Sequence, residues 1–501
     1  MLNVSALRRA SILAVALLGV ISGCTVGPNY IRPRMDLPAQ FGEADSAMLA
    51  TTQSSSQPAL SAADLHVAAW WKNFRDPQLD SLVARAFANN LDLKMADARI
   101  RQARAQYGIA VAGEFPVVNT DGSMSRSHSS GTNSSRSNNS SGTNNSFRAG
   151  FDSSWEIDVF GRIRRGVEAA SDEVDVAVED RRNVLVSLAS EVAANYITYR
   201  GTARQITIAK DNIVSQRESL AVTRRQFDAG LKTATELDVR RAEALVFSSE
   251  AQVPNLEASL HKSAHALSIL LGKEPNALNA ELNDPKAIPA AIIPVVPIGL
   301  PSDLLRRRPD IRRSERQLAA ATARIGVATA DLFPRFSLTG SFGQQSGSLK
   351  SIADSASGFW SIGPSVNWPI LDFGKIRANI RLQNAFQEQS MLSYEQTVLD
   401  ALGDVENALI SYSREQLRRS QLNSSAESNK KAVILARQRY DAGLTDFLSV
   451  LDAQRSLFSA QDQLVQSERI VSTNLVALYK ALGGGWEIAE PTTTVKKSDK
   501  K

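Results

Sequence analysis

WEIDVFGRIRR, residues 155–165, returns as WPILDFGKIRA at residues 368–378. At that offset of 213, Ile157 meets Ile370, Phe160-Gly161 meets Phe373-Gly374 and Tyr199 meets Tyr412. FDAGL (227–231) meets YDAGL (440–444) at the same offset, so neither copy carries an insertion in between. An internal duplication is the first fact the fold must accommodate. Upstream the offset is 218: Asp92 meets Asp310, Gly108 meets Gly326, Phe115-Pro116 meets Phe333-Pro334 and Gly122-Ser123 meets Gly340-Ser341. The extra residues of the first copy lie between Pro116 and Trp155. That interval holds the Ser/Asn/Gly tract Ser127–Ser146, which offers no core residues and reads as an exposed loop. Near the ends, LLGK (270–273) meets ALGG (481–484) at offset 211.

Each copy reads as helix, short β region, very long helix, turn, helix. Phe336, Leu338 and Phe342 alternate with polar residues, as do Trp360, Ile362, Pro364, Val366 and Trp368, and in the first copy Phe147, Phe151 and Trp155. No proline falls between Gly161 and Gly230, and none between Ile370 and Glu490. Some 69 helical residues at ~1.5 Å each predict a rod of about 100 Å, far beyond an ordinary globular helix. Gly230 and Gly443 stand where a left-handed residue ends a helix, and Thr445 or Asp446 can cap the returning one. Pro254 interrupts the shorter helix of the first copy and has no counterpart in the second. The two helix pairs are therefore expected to be inequivalent.

The only cysteine in 501 residues is Cys24. Alone it forms no internal disulfide and no cysteine-based zinc site. Arg8 and Arg9, then the apolar run Ile12–Ile21, then Ser22-Gly23, read as a secretory signal too short to span a bilayer. Ile-Ser-Gly-Cys resembles a bacterial lipobox. That resemblance implies cleavage before Cys24 and a covalent lipid on its sulfur, and Thr25, where an Asp is absent, implies sorting to the outer membrane. The formal charge of +5 is a matter of ends: two arginines leave with the signal, and KKSDKK (496–501) holds four lysines against one aspartate. The body is near neutral and gives no basic surface for nucleic acid. No apolar run is long enough for a transmembrane helix.

Two strands per copy give four per chain. Four cannot close a barrel, and an open sheet edge cannot face lipid. Three chains give twelve strands; two giving eight stays open on counting alone.

Several stretches then carry a resemblance: GCTVGPNYIRP (23–33), WWKNFRDPQLDSLVARA (70–86), PSDLLRRRPDIRRSE (301–315), SVLDAQRSLFSAQ (449–461) and LYKALGGGW (478–486). Together with YDAGL they resemble the TolC-type outer-membrane factor family, in its lipid-anchored efflux branch. The resemblance implies a mixed α/β membrane protein: a homotrimeric twelve-stranded outer-membrane β-barrel continuing into a long periplasmic α-helical barrel. It implies an exit duct for drugs or other small toxic solutes, docked to a periplasmic adaptor (membrane fusion) protein and an inner-membrane pump of the RND type. A duct for secreted polypeptides is the alternative use of the same architecture. The family closes its duct just past the tyrosine-glycine turn. Carried onto this sequence, the acidic member of that gate is Asp452 and the apolar member Leu448, one helical turn before. Three copies of an aspartate around an axis would repel anions and attract cations. Tyr440 and Glu236 match positions that tie the helix pairs together in some relatives, where a basic residue stands in place of Thr445.

The expected organisation is a signal at 1–23, a lipidated extended segment at 24–75, repeats at 76–290 and 291–485, and a basic tail at 486–501. His261 and His265 are spaced i, i+4, but Lys262 stands where a zincin has glutamate. There is no P-loop, no GxSxG and no dinucleotide fingerprint, so no enzyme, metal or cofactor is expected beyond the lipid. The arginine cluster 306–308, 312 and 313 is interleaved with Asp303, Asp310 and Glu315 and reads as a solvated helix start. A tethered coiled-coil protein without a pore is the competing class, and the aromatic-flanked alternating strands speak against it.

Overall fold

A computed structural model of the chain describes residues 25–43, 68–128, 143–230, 234–282, 303 and 306–489. Helices α1 (Pro77–Asn89) and α2 (Leu91–Ala112) lead into strands β1 (Val117–His128) and β2 (Thr143–Ile157). Then come α3 (Arg162–Asp228), α4 (Glu236–Glu250) and α5 (Val253–Leu270). The second copy runs α6 (Pro309–Ala330), β3 (Arg335–Ser346), β4 (Gly358–Asn367), α7 (Lys375–Asp441) and α8 (Phe447–Ala481). The bounds of α2 and α6, and of β1 and β3, differ by 218 at both ends. Those of α3 and α7 differ by 213, and α4 with α5 maps onto α8 at 211. The duplication is thus one of structure as well as of letters.

At 67 residues each, α3 and α7 are about 100 Å long at ~1.5 Å per residue. Glycines at positive φ close both: Gly230 and Gly443 each have φ +71°. At the second, the Leu444 N–H reaches the Arg439 carbonyl (2.8 Å) and the Gly443 N–H that of Tyr440 (2.9 Å), a Schellman closure. Thr235 and Asp238 form a capping box at the start of α4, and Asp446 accepts the Ser449 N–H at the start of α8. The one interruption falls where expected. Pro254 sits in the first turn of α5, where its missing N–H goes unused, while α8 runs unbroken for 35 residues.

The strands form one antiparallel sheet in the order β1-β2-β3-β4. The hairpins share a register: Val117↔Ser154 in the first becomes Arg335↔Asn367 in the second. Strand pairing extends into the Ser/Asn tract, with Ser127 opposite Asn144 and His128 opposite Thr143. The loop expected at 127–146 is therefore shorter, because small polar side chains do not prevent the backbone from completing its ladder. One face carries Thr120, Phe151, Phe342 and Trp360 in a row across all four strands, with the Phe151 and Phe342 rings stacked at 5.9 Å. On the other face Arg148 pairs with Asp121 (3.4 Å) and lies over the Phe359 ring (4.5 Å). Trp155 and Trp368, at matching repeat positions, donate to the Glu114 and Leu332 carbonyls and pin the base of each hairpin.

Two compact units result, each drawing on both copies. The unit holding the sheet also holds the segment that follows Cys24. There Arg165, buried, donates to the Val26 and Gly27 carbonyls and to Asn29 (2.7 Å). Gly27 lies so close to Gly326 that a Cβ on it would stand 2.5 Å from the Gly326 Cα.

The other unit is organised by the tryptophan pair. Trp70, fully buried, stacks on Tyr479 at 5.3 Å, and Asn73 donates to the Tyr479 hydroxyl (2.9 Å). Burial pushes that phenol up to about 12. The arginine cluster is not a solvated helix start. Arg308, 8 % exposed, binds Asp310 (2.6 Å), Asp404 (3.0 Å) and the Ala481 carbonyl (3.0 Å). Arg312 and Arg313 pair with Glu179 and Asp180. Pro309 starts α6 and sets Arg308 against the C-terminal carbonyls of α8, where a cation is favoured.

Candidate functional site

The ends of the long helices, at Gly230 and Gly443, carry the residues singled out for gating. In the first copy, α3 turns back as α4 and α5 and is stitched to them by ion pairs. Arg224 pairs with Glu243, Arg217 with Glu250 (2.6 Å) and Lys210 with Glu257 (3.1 Å). On each side the partners are seven residues apart, the spacing of an antiparallel coiled coil, and the ladder continues across the break before Pro254. The second copy lacks this ladder. Where the first has Glu243 and Glu250, α8 has Gln454 and Gln461.

The groups so released turn to α3 instead. Arg437, which corresponds to Arg224, donates to the Ser215 carbonyl (2.9 Å) and to Ser219 Oγ (3.1 Å). Gln454 donates to the same Ser219 oxygen (2.9 Å). Asn212 donates to Gln461 (2.9 Å), and Gln205 to Asp462 (2.8 Å). Gln226 completes the seven-residue series 205, 212, 219, 226 by accepting the Tyr440 hydroxyl at 2.6 Å. One hairpin is held to itself by charge. The other is held to α3 chiefly by uncharged side chains.

Tyr440 is buried against Phe447 (ring centroids 5.2 Å apart), Val450, Leu451, Ala242 and Leu245. Burial raises its phenol. Its hydrogen-bond partner is Gln226, not Glu236; Glu236 is exposed and pairs with Arg240 at 3.4 Å. Thr445 Oγ1 bonds Ser449 Oγ (3.0 Å) beside the Asp446 cap. Leu448 and Asp452 share the exposed side of the first turns of α8, while Phe447, Val450, Leu451 and Gln454 are buried on the other. The repeat shows one residue that motif matching missed. At offset 211 Leu448 meets Leu237 and Asp452 meets Arg241, so the first copy presents a cation where the second presents an anion. Both Leu237 and Arg241 are exposed. The offset is legible in the letters, but only a tip-to-tip comparison brings it out. Cys24 lies outside the described residues.

A four-stranded sheet with one apolar face, joined to helices of this length, restricts the choice sharply, and the sequence profile described as "Outer membrane efflux protein" matches residues 82–273 and 300–484. The chain belongs to that family. Its members are outer-membrane efflux channels and not enzymes. The efflux protein is 34% identical over 483 residues to the solvent efflux pump outer membrane protein SrpC of Pseudomonas putida, covering 94% of this chain and 97% of SrpC. It is 31% identical over 475 residues to the cation efflux system protein CusC of Escherichia coli O6:H1, covering 93% and 97%. Among solved structures it resembles the outer-membrane channel OprN, with a TM-score of 0.84 and 39% identity over 92% of this chain and all of that one. The TolC-like fold of the efflux protein, its place in the outer membrane and its role as the outer-membrane channel of a tripartite efflux pump follow.

Proposed function

We propose that this channel works as a homotrimer, lipid-anchored through Cys24 after loss of residues 1–23, with a gate at its periplasmic tip formed by rings of Leu448 and Asp452. β1 and β4 have no outer neighbour among the described residues, and lipid offers no hydrogen bonds to an open edge. Further copies of the chain supply the missing edges, and three give twelve strands, an even number within the range of bacterial barrels. Repeats 76–290 and 291–485 then alternate around the axis, with the 486–501 tail outside them. The Gly230 and Gly443 turns form the tip that meets a periplasmic adaptor, which links the duct to an inner-membrane pump of the RND type. Relatives named for solvents and for cations share this chain's length at similar identity, which supports a duct that leaves the choice of cargo, here small toxic solutes, to the pump.

The observation that carries the gate is the exposure pattern on α8: Leu448 and Asp452 stand free on one side while the opposite side is fully engaged. The α3 contacts of Arg437, Gln454, Gln461 and Tyr440 are the closed-state latch in this reading. They yield before the ionic ladder of the first copy does, so the second hairpin is the one that swings. Single-channel recording in a planar bilayer tests it. Wild type should give small, mostly closed events, and Asp452→Ala larger and longer ones. No conductance from either variant of folded protein would remove the duct reading and favour a tethered structural protein.

A further inference from the structure

The chemistry of the sheet tells its two faces apart. Val118, Phe151, Phe342, Trp360, Ile362 and Val366 share one face and are all exposed. In an outer-membrane barrel the apolar face meets lipid, and the alternate positions line the lumen. Along the four strands those alternate positions are mostly Ser, Thr, Asn and Gln, a neutral wall. Charge appears on it at two levels among the described residues. At the strand ends, Glu156 and Arg335 are paired with Arg162 (2.8 Å) and Asp331 (2.6 Å). Midway along the strands stand Asp121, Arg148 and Asp152.

This middle cluster is built around a ring. Asp121, Gly150, Gly343 and Phe359 face one another in a row across all four strands. The two glycines leave a trough, and the Phe359 ring lies along it. A Cβ on Gly343 would stand 3.0 Å from the ring, and one on Gly150 3.3 Å. The Arg148 guanidinium lies over the same ring, 4.5 Å from its centroid. Its Nε is 3.4 Å from Asp121, and a terminal nitrogen is 3.5 Å from Asp152. An aromatic face with two carboxylates at its rim has the chemistry that receives an organic cation. Here the chain supplies the cation itself. The planar, weakly hydrated guanidinium suits both the ring and the acids. The acceptors exceed what it takes up: one cation meets two carboxylates, and Asp121 Oδ1 is buried without a hydrogen-bond partner.

We infer that Arg148 fills an organic-cation site in the wall of the duct and keeps it occupied, so that cationic solutes on their way out have nowhere to lodge. This rests on the barrel proposed above and adds to it a residue that sets how the lumen treats charged cargo. Arg148 acts in two ways. It halves the negative charge of the cluster, and it covers the one aromatic face that the neutral wall presents beside those acids. Without it, each protomer would offer two carboxylates around a bare ring, and a passing cation would be held by charge and ring together. The glycines at 150 and 343 belong to the same device, because a side chain at either would displace the ring on which the guanidinium rests.

Reversal potentials of the full chain in a planar bilayer test it. In 0.1 M KCl, Arg148→Ala should raise the preference for potassium over chloride about twofold, and the gain should fade in 1 M KCl. Guanidinium chloride at about 50 mM should refill the site and return the variant to wild-type preference, while NaCl at the same concentration should not. Adding Phe359→Ala to Arg148→Ala should leave the raised preference in place and remove the guanidinium effect. Three results each overturn the inference: unchanged preference in a conducting Arg148→Ala channel, equal effects of sodium and guanidinium, or a guanidinium effect that survives Phe359→Ala. No current from any chain, wild type included, overturns the barrel beneath it instead. If Arg148→Ala alone fails to conduct, Asp121→Asn with Asp152→Asn decides. That pair of changes should shift preference toward chloride about twofold in 0.1 M KCl, and no shift overturns the inference.

Discussion

Ser219→Ala should open the channel. Ser219 Oγ is the single acceptor shared by Arg437 and Gln454, so removing it cuts two contacts between α3 and the second hairpin at once. Arg437 keeps the Ser215 carbonyl. Gln454 keeps nothing equivalent. It is 4% exposed, and its Oε1 is already without a partner. An orphaned buried donor costs about 1–3 kcal/mol. Taking about 2 kcal/mol per protomer, charged to the latched arrangement alone, the ratio of open to closed hairpins rises ~30-fold. Alanine favours helix over serine, so α3 itself is not weakened. Open probability in a planar bilayer is the assay, at 0.1 M and at 1 M KCl. Two of the four positions in the series, 212 and 226, join only uncharged side chains, and the Gln454 contact that the substitution orphans at 219 is uncharged as well. The increase should therefore survive in 1 M salt, where the screening length falls to ~3 Å. As a control, Arg217→Ala breaks an exposed pair in the first hairpin and should change open probability less than threefold, since such a pair is worth about 0.5 kcal/mol. An open probability for Ser219→Ala within threefold of wild type, in folded protein, would refute the latch.

Grafting the acids of the first hairpin onto the second, Gln454→Glu with Gln461→Glu, should draw Arg437 away from α3 and raise open probability at low salt, with the gain shrinking in 1 M KCl. Arg241→Ala should increase cation preference in reversal-potential measurements and Asp452→Ala should decrease it, because the two occupy equivalent tip positions with opposite charge. Cys24→Ser should abolish incorporation of labelled palmitate; persistent labelling would show the lipid to be elsewhere. Burial raises the Asp172 carboxyl above the usual carboxylate range, against the opposing pull of Arg316. The folded state thus binds that proton more tightly, and the stability it contributes is complete below the unfolded value and lost as pH rises through the raised folded one. Asp172→Asn should therefore melt higher than wild type near pH 7, with the gap closing on acidification through that window; a gap independent of pH would contradict the assignment.

Much of this molecule can be read in its letters because it is written twice. Offsets of 218, 213 and 211 locate element pairs whose ends agree to the residue, and the glycines at 230 and 443 mark the turns, since a helix end at positive φ favours glycine over other residues. Pro254 likewise announces the break it makes. These are local properties: periodicity, backbone sterics and a missing N–H act within a turn or two of the residue that carries them. The destinations of side chains are not local. The arginines at 308, 312 and 313 look solvated in sequence, yet they are taken up by Asp404, Glu179 and Asp180 from distant parts of the chain. Tyr440 pairs with Gln226 and not Glu236, because α7 packs beside α3 and places that amide within reach. Sequence by itself determined the duplication, the length of the helices, their ends and the alternation of the strands. Only the tertiary structure decided which hairpin is tied to itself by charge and which leans on its neighbour through hydroxyls and amides. Those contacts join residues some two hundred positions apart, and their energies depend on which helix faces fold together.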